Sequence, residues 1–237
     1  MIAVLRYIAS MFFCTLYHAS RVVLASGRGE RYQPGGLFDQ VPRDYSYDLL
    51  HFNRIEVRSE GLERLRGLGP CVFVANHQSW FDIPALVVVL PGSIRFLAKK
   101  ELGRVPLFGR ALRAAGHIEI DRHDLGSAVE AYRGAAEEIR MGLSAMVFAE
   151  GTRTRDGRLL PFKKGPFVLA IVAQVPVVPV YVEGGRAVLP RGSLRPRPGT
   201  LTVHVGEPIP TIGLGYEDRE ALSSRSRAAL IALGARE

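Results

Sequence analysis

From Cys71 to Val182, short apolar runs alternate with stretches of helical periodicity, and no other feature restricts the fold of this chain as much. Strand-like runs occupy Cys71–Ala75, Ile94–Ala98, His117–Ile120, Ala145–Phe148 and Val177–Val182, with further strand signals near Ile55-Glu56-Val57 and at Leu201–Val205. Helical patterns lie between several of them, at Ile83–Leu90, Leu107–Ala115, Leu125–Met141 and Pro166–Ala173, and Glu217–Ala235 reads as a terminal helix. Within Leu125–Met141 the apolar residues Leu125, Val129, Tyr132, Ala136 and Ile139 recur near helical spacing with charges on the other face, and Gly142 stops the pattern. Strands alternating with helices predict an α/β fold with a helix-covered central sheet. In such folds ligands bind at the carboxyl ends of strands, so chemistry is expected directly after the apolar runs.

The 237 residues suffice for one substantial domain with a large core. With 47% hydrophobic and 23% charged residues the chain is globular rather than disordered. Its net charge of +8, carried by arginine far more than lysine, suits phosphate-bearing partners: nucleic acid, an anionic membrane surface or phosphorylated small molecules. Nucleic acid fits poorly, because zinc-finger spacing, RNP-like aromatic runs and basic heptad helices are missing. Cys14 and Cys71 sit among apolar residues and read as reduced packing residues, not as a disulfide or metal site.

Met1 to Ala25 is mostly apolar and aromatic, with Arg6, His18 and Arg21 as its only basic groups. Its uncharged stretch, Tyr7 to Tyr17, is shorter than the about 20 apolar residues needed to cross a bilayer. A signal peptide is weakly matched, since the basic n-region is Arg6 alone and Ala25-Ser26-Gly27 is a loose cleavage site. A helix lying on or dipping into a membrane is expected, with Arg6, His18 and Arg21 toward lipid head groups. A helix packed on the main domain is the other arrangement, and the two are compatible. Ser26 to Asp44, with Pro34-Gly35-Gly36, reads as a polar surface connector. The expected organisation is residues 1–45 as membrane-associating helix and connector, and 46–237 as one domain.

Three segments following apolar runs carry chemistry. Asn76-His77-Gln78-Ser79-Trp80-Phe81-Asp82 comes first. In a continuous helix, five residues at about 100° each would leave His77 and Asp82 on diverging faces. A strand–turn–helix junction can instead fold Asp82 back to the imidazole, fixing one tautomer and stabilising the charge the ring gains as a base. The same residues also read as a helix start, Asp82 capping and Pro84 in the first turn, with Ser79 a turn residue. Next, Lys99-Lys100 ends Leu97–Ala98, where an ammonium can offset an oxyanion or bind phosphate, or simply stay solvated; Arg122 has the same ambiguity. Then Glu150-Gly151-Thr152-Arg153 follows Ala145–Phe148. Gly151 allows close backbone approach, Thr152 offers a hydroxyl, and Arg153 can grip a phosphate bidentately. Glu150 either steadies that guanidinium or forms a structural ion pair with it. No P-loop and no Gly-x-Ser-x-Gly elbow is present. A fourth segment, Val175-Pro176-Val177-Val178-Pro179-Val180, reads as core or as the wall of an apolar channel.

In this order, Asn-His-x4-Asp, Lys-Lys…Asp-Arg, Glu-Gly-Thr-Arg and Val-Pro-x-x-Pro-Val resemble the motifs of the glycerolipid acyltransferase family, most of all its 1-acylglycerol-3-phosphate (lysophosphatidate) acyltransferases, from roughly Glu56 to Pro210. The resemblance implies an α/β acyltransferase domain behind a membrane-associating helix, peripheral or monotopic on the cytoplasmic membrane and facing the cytoplasm. It implies transfer of a fatty acyl group from acyl-CoA or acyl-carrier-protein to the sn-2 hydroxyl of 1-acylglycerol 3-phosphate, with no metal or resident cofactor. His77 is then the catalytic base, Asp82 its orienting acid and Lys99 the lysine near the thioester carbonyl. Arg122, Glu150, Gly151, Thr152 and Arg153 are the acceptor-phosphate site. Ala149 departs from the family's usual proline before the glutamate. A lyso-ornithine lipid or glycerol 3-phosphate as acceptor would use the same residues. The alternative of another class is a non-catalytic lipid-binding protein on anionic membranes, and intact His77, Asp82 and Arg153 speak against it. A thioesterase would leave the arginines without a purpose.

Overall fold

The chain runs α1 (Ile2–Gly27), α2 (Leu37–Phe52), β1 (Ile55–Glu60), β2 (Val72–Ala75), α3 (Asp82–Val89), β3 (Ile94–Lys99), α4 (Phe108–Ala114), β4 (Ile118–Ile120), α5 (Leu125–Arg140), β5 (Ser144–Phe148), α6 (Gly165–Ala173), β6 (Val177–Glu183), α7 (Gly185–Val188), β7 (Gly199–Val205) and α8 (Arg219–Ala232). The computed structural model describes residues 2–120 and 125–237, with the side chains of 99, 119, 120 and 125–130 outside that description. Each apolar run noted above is a strand, and they form one sheet in the order β1-β7-β6-β2-β5-β3-β4. From β6 to β4 neighbouring strands are parallel, whereas β7 is antiparallel to β6 and β1 is parallel to β7. The carboxyl ends of β6, β2, β5, β3 and β4 therefore share one edge, where a doubly covered sheet places its chemistry.

The β2 run is buried on both faces, as its lack of polar residues predicts. Val72 and Val74 pack with α5, α6 and α8 on one face. Phe73 and Ala75 pack with α1, α3 and α7 on the other. Pro179 sits inside β6 without loss of a ladder bond for a reason of parity. Val177 and Pro179 turn their main-chain groups toward residues 206–209, with Val177 N–H donating to Ile209 and Pro179 C=O accepting from Gly206. Pro179 lacks its N–H only on that side, off the central β2 ladder.

Two expectations at the N-terminus are corrected. The segment read as a connector to Asp44 turns helical at Leu37, and Pro42 lies inside that helix. Phe38, Val41, Leu49 and Leu50 form its buried face, each contributing roughly 1.5–3 kcal/mol. Polar contacts then fix it: buried Asp39 takes Arg95 Nη1 at 2.8 Å, Ser93 Oγ at 2.5 Å and the Gly35 N–H at 2.8 Å. Arg43 donates to the carbonyls of Val87, Leu90 and Gly92, satisfying the end of α3.

The second correction concerns the basic groups of α1, which face the protein rather than head groups. His18 is buried with Nε2 2.8 Å from Asp48 Oδ2, Arg21 donates to Asp44 Oδ2 at 2.9 Å, and Arg6 Nε is buried. The outward face carries Ile2, Leu5, Ile8, Phe12, Phe13 and Leu16 instead, with Phe12 62% and Phe13 65% exposed. Helix α1 is also 26 residues long, more than its uncharged stretch suggested and enough by length and composition to cross a membrane.

Candidate active site

After Ala75 the backbone ladder of β2 stops, and side chains take over its hydrogen bonds. Asn76, 1% exposed, pairs with β6 as a strand residue would: its Nδ2 donates to Val182 C=O at 3.0 Å and its Oδ1 accepts the Val182 N–H at 2.7 Å. On the β5 side the His77 N–H donates to Glu150 Oε1 at 2.8 Å, and the His77 carbonyl accepts the Thr154 N–H at 2.9 Å. His77 is thus held by its main chain between two neighbouring strand ends before its side chain makes any contact.

The side chain is held as tightly. Its ring stacks on Phe148, with centroids 3.8 Å apart and planes 13° apart. Nδ1 lies 2.9 Å from Asp82 Oδ2, an oxygen that also accepts the Gln78 and Ser79 N–H groups at 2.6 and 2.7 Å. A carboxylate only accepts, so Nδ1 carries the hydrogen and the Nε2 lone pair is available to a substrate proton. Asp82 opens α3 as its first residue, but the capping expectation is corrected: Phe81 is the N-cap, and the Asp82 carboxylate turns back to His77 and to the Gln78 and Ser79 N–H groups instead of capping the helix. It is 0% exposed. Behind it, Gly185 leaves room for the carboxylate, since a Cβ there would come within 2.5 Å of Asp82 Oδ1. Ser79, buried, accepts the Phe81 N–H, a turn contact as expected.

The expectation for Glu150 is corrected. It does not steady Arg153: its two oxygens accept the His77 and Leu160 N–H groups, each at 2.8 Å. Opposite charges three residues apart suggest an ion pair, but a buried strand end with unsatisfied N–H groups competes for the carboxylate and wins. Burial pushes the Glu150 pKa up from 4.5 to about 7, against the pull of the Leu160 and His77 N–H bonds. Because the folded value lies above the unfolded one, this group's stability is full below pH 4.5 and is lost as pH rises to about 7. The loss is on the order of 3 kcal/mol. Thermal unfolding of wild type and Glu150→Gln from pH 4 to 8 should therefore show wild type losing stability relative to the variant across that window; parallel curves would contradict it.

Gly151 adopts φ +74°, forming the turn that leads to Thr152, which is exposed, and Arg153, which is half-buried. The Arg153 guanidinium lies 5.4 Å from the centroid of Trp80. Burial first, then the nearby Arg191 charge, lower its pKa, while Tyr7 and Asp82 oppose them. Tyr7 comes from α1 and packs on Phe81 at 5.8 Å, so the N-terminal helix reaches the wall of this site. Lys99 ends β3 at the same sheet edge, but its side chain lies outside the described residues, as does Arg122 entirely. His117 is no second base: its Nδ1 accepts the Phe96 N–H, and burial pushes its pKa down to about 3.

The acyltransferase family profile matches residues 56–183. 1-Acyl-sn-glycerol-3-phosphate acyltransferase alpha of Homo sapiens is 37% identical over 189 residues, 77% of this chain and 66% of that protein. The beta protein of Homo sapiens is 36% identical over 205 residues, 86% of this chain and 72% of that one. The chloroplastic protein BAT2 of Brassica napus, of the same printed activity, is 41% identical over 167 residues, 66% of this chain and 48% of the relative. The matched stretch thus spans about two thirds of the alpha protein and about half of the chloroplastic one. Among solved structures, the 1-acyl-sn-glycerophosphate acyltransferase PlsC of Thermotoga maritima superposes with TM-score 0.79 at 27% identity, over 99% of this chain and 97% of that one.

Proposed function

The chain belongs to the acyltransferase family, and from that premise we propose that it acylates the sn-2 hydroxyl of 1-acylglycerol 3-phosphate, using a fatty acyl thioester of CoA or acyl carrier protein. The observation that carries this reading is the clamped His77–Asp82 pair with Arg153 on the adjoining loop: a base with a free Nε2 beside an anion-binding side chain. A free alcohol is far less acidic than an imidazolium, whose ordinary pKa is about 6.5, so proton removal accompanies attack rather than preceding it. As the hydroxyl oxygen bonds to the thioester carbonyl carbon, Nε2 takes its proton. When the intermediate collapses, the C–S bond breaks and the proton passes to the departing thiolate. Asp82 stabilises the imidazolium between these steps. Arg153 holds the acceptor phosphate and so sets the hydroxyl over Nε2. Lys99 is assigned the developing oxyanion, and Arg122 and Thr152 the phosphate beside Arg153, on the motif pattern alone.

The reaction is placed on the cytoplasmic membrane, facing the cytoplasm, with α1 monotopic in the interface. Its support is the inversion of that helix, apolar side outward and basic side inward. Replacing Phe12, Phe13 and Leu16 together by serine should weaken binding to phosphatidylglycerol-containing vesicles by roughly 100-fold, from lost apolar burial. Sedimentation with vesicles checks it, and unchanged binding would remove the membrane assignment. The acceptor is tested with a panel of lysophosphatidate, a lyso-ornithine lipid and glycerol 3-phosphate. Lysophosphatidate should give the highest kcat/KM; a preference for either of the others would replace it.

A further inference from the structure

We infer that Arg191, on the connection between α7 and β7 and outside every motif of the sequence, forms with Arg153 a two-arginine cradle that selects a phosphate monoester head group over a phosphodiester. The inference deepens the proposed function and rests on it. Arg191 Nη1 donates to the Arg153 carbonyl at 2.7 Å, which seats one guanidinium against the other residue's main chain. The two charges are close enough for Arg191 to oppose the ionisation of Arg153. Arg186, in α7 just before that connection, is anchored in a similar way on the Asp156 carbonyl at 3.1 Å. Among the described residues no carboxylate forms an ion pair with Arg153, Arg186 or Arg191. Asp82, whose charge reaches Arg153, makes no ion pair with it: its Oδ2 is engaged by His77 and two N–H groups, and its buried Oδ1 makes no hydrogen bond.

Like charges held together beside a half-buried wall repel unless an anion lies between them. A monoester carries about −1.5 to −2 at pH 7, with three terminal oxygens for two guanidinium forks. A diester carries a single charge on two non-bridging oxygens and satisfies one fork. Arg191 therefore acts on acceptor choice, while the base and its orienting acid are untouched.

The test uses the full chain in vesicles with an acyl-CoA donor. It compares kcat and KM for lysophosphatidate and lysophosphatidylglycerol in wild type, Arg191→Ala, Arg191→Lys and Arg195→Ala, the last an exposed arginine further along the segment. Arg191→Ala should raise KM for lysophosphatidate about tenfold, the scale of one charge-assisted hydrogen bond, with kcat within about twofold. Its preference for lysophosphatidate over lysophosphatidylglycerol should fall by a similar factor. Lysine should restore part of that preference, and Arg195→Ala should match wild type. Equal KM increases for both acceptors, or none, would overturn the inference while leaving the proposed function standing. Wild type that acylates neither acceptor would overturn both.

Discussion

Replacing His77 by alanine is expected to lower kcat roughly 100- to 10,000-fold while leaving KM for lysophosphatidate nearly unchanged, because the base acts on the hydroxyl proton and not on the phosphate. The protein should remain folded. The ring stacks on Phe148 and bonds Asp82, but the clamps that hold this loop are the main-chain bonds to Glu150 and Thr154, which alanine keeps. Steady-state kinetics with circular dichroism on the same preparation separates the two effects. A variant within tenfold of wild type would mean that another group removes the proton.

Asp82→Asn should cost a similar factor in kcat, about 1,000- to 10,000-fold by analogy with triads in which an amide replaces the orienting carboxylate. The physical reason is charge. The carboxylate oxygen accepts from Nδ1, Gln78 N–H and Ser79 N–H, so an asparagine keeps its carbonyl oxygen toward those donors but brings no negative charge to stabilise the imidazolium. This variant should also lose stability, by about 1–3 kcal/mol, since a buried N–H is left with a weaker acceptor. The double variant His77→Ala, Asp82→Asn should be little slower than either single one, because the pair acts as a unit. Additive losses would show that Asp82 works on something other than His77.

The centre of the sheet was legible because β2 and β6 are apolar runs bounded by turn residues and buried on both faces, whereas β1 and β7 are partly exposed and carry a weaker signal. The His77–Asp82 pair was legible as a spacing, although only the strand–turn–helix junction brings the two side chains together. Helix α2 was not legible because Pro34-Gly35-Gly36 and Pro42 punctuate it; its amphipathic face, Phe38, Val41, Leu49 and Leu50, was the available signal. Composition alone points the basic groups of α1 toward lipid. Their partners lie on α2, Asp44 at 23 residues from Arg21 and Asp48 at 30 residues from His18. Glu150 was misassigned for a related reason: a carboxylate three residues from an arginine invites an ion pair, and nothing local says that two main-chain N–H groups need it more. Asn76 and Glu150 share that role, each completing a hydrogen-bond ladder where the strand must end so that His77 can turn outward. Arg191 belongs to no motif and enters only through the fold.

The most direct measurement incubates the purified wild-type protein with a fatty acyl-CoA and 1-acylglycerol 3-phosphate and follows lipid product and free thiol together. Phosphatidate formed in a one-to-one ratio with thiol, acylated at sn-2, is the predicted result. Thiol released without phosphatidate would make the enzyme a hydrolase or an acyltransferase for another acceptor. No thiol release, from either the CoA or the carrier-protein thioester, would contradict acyl transfer itself.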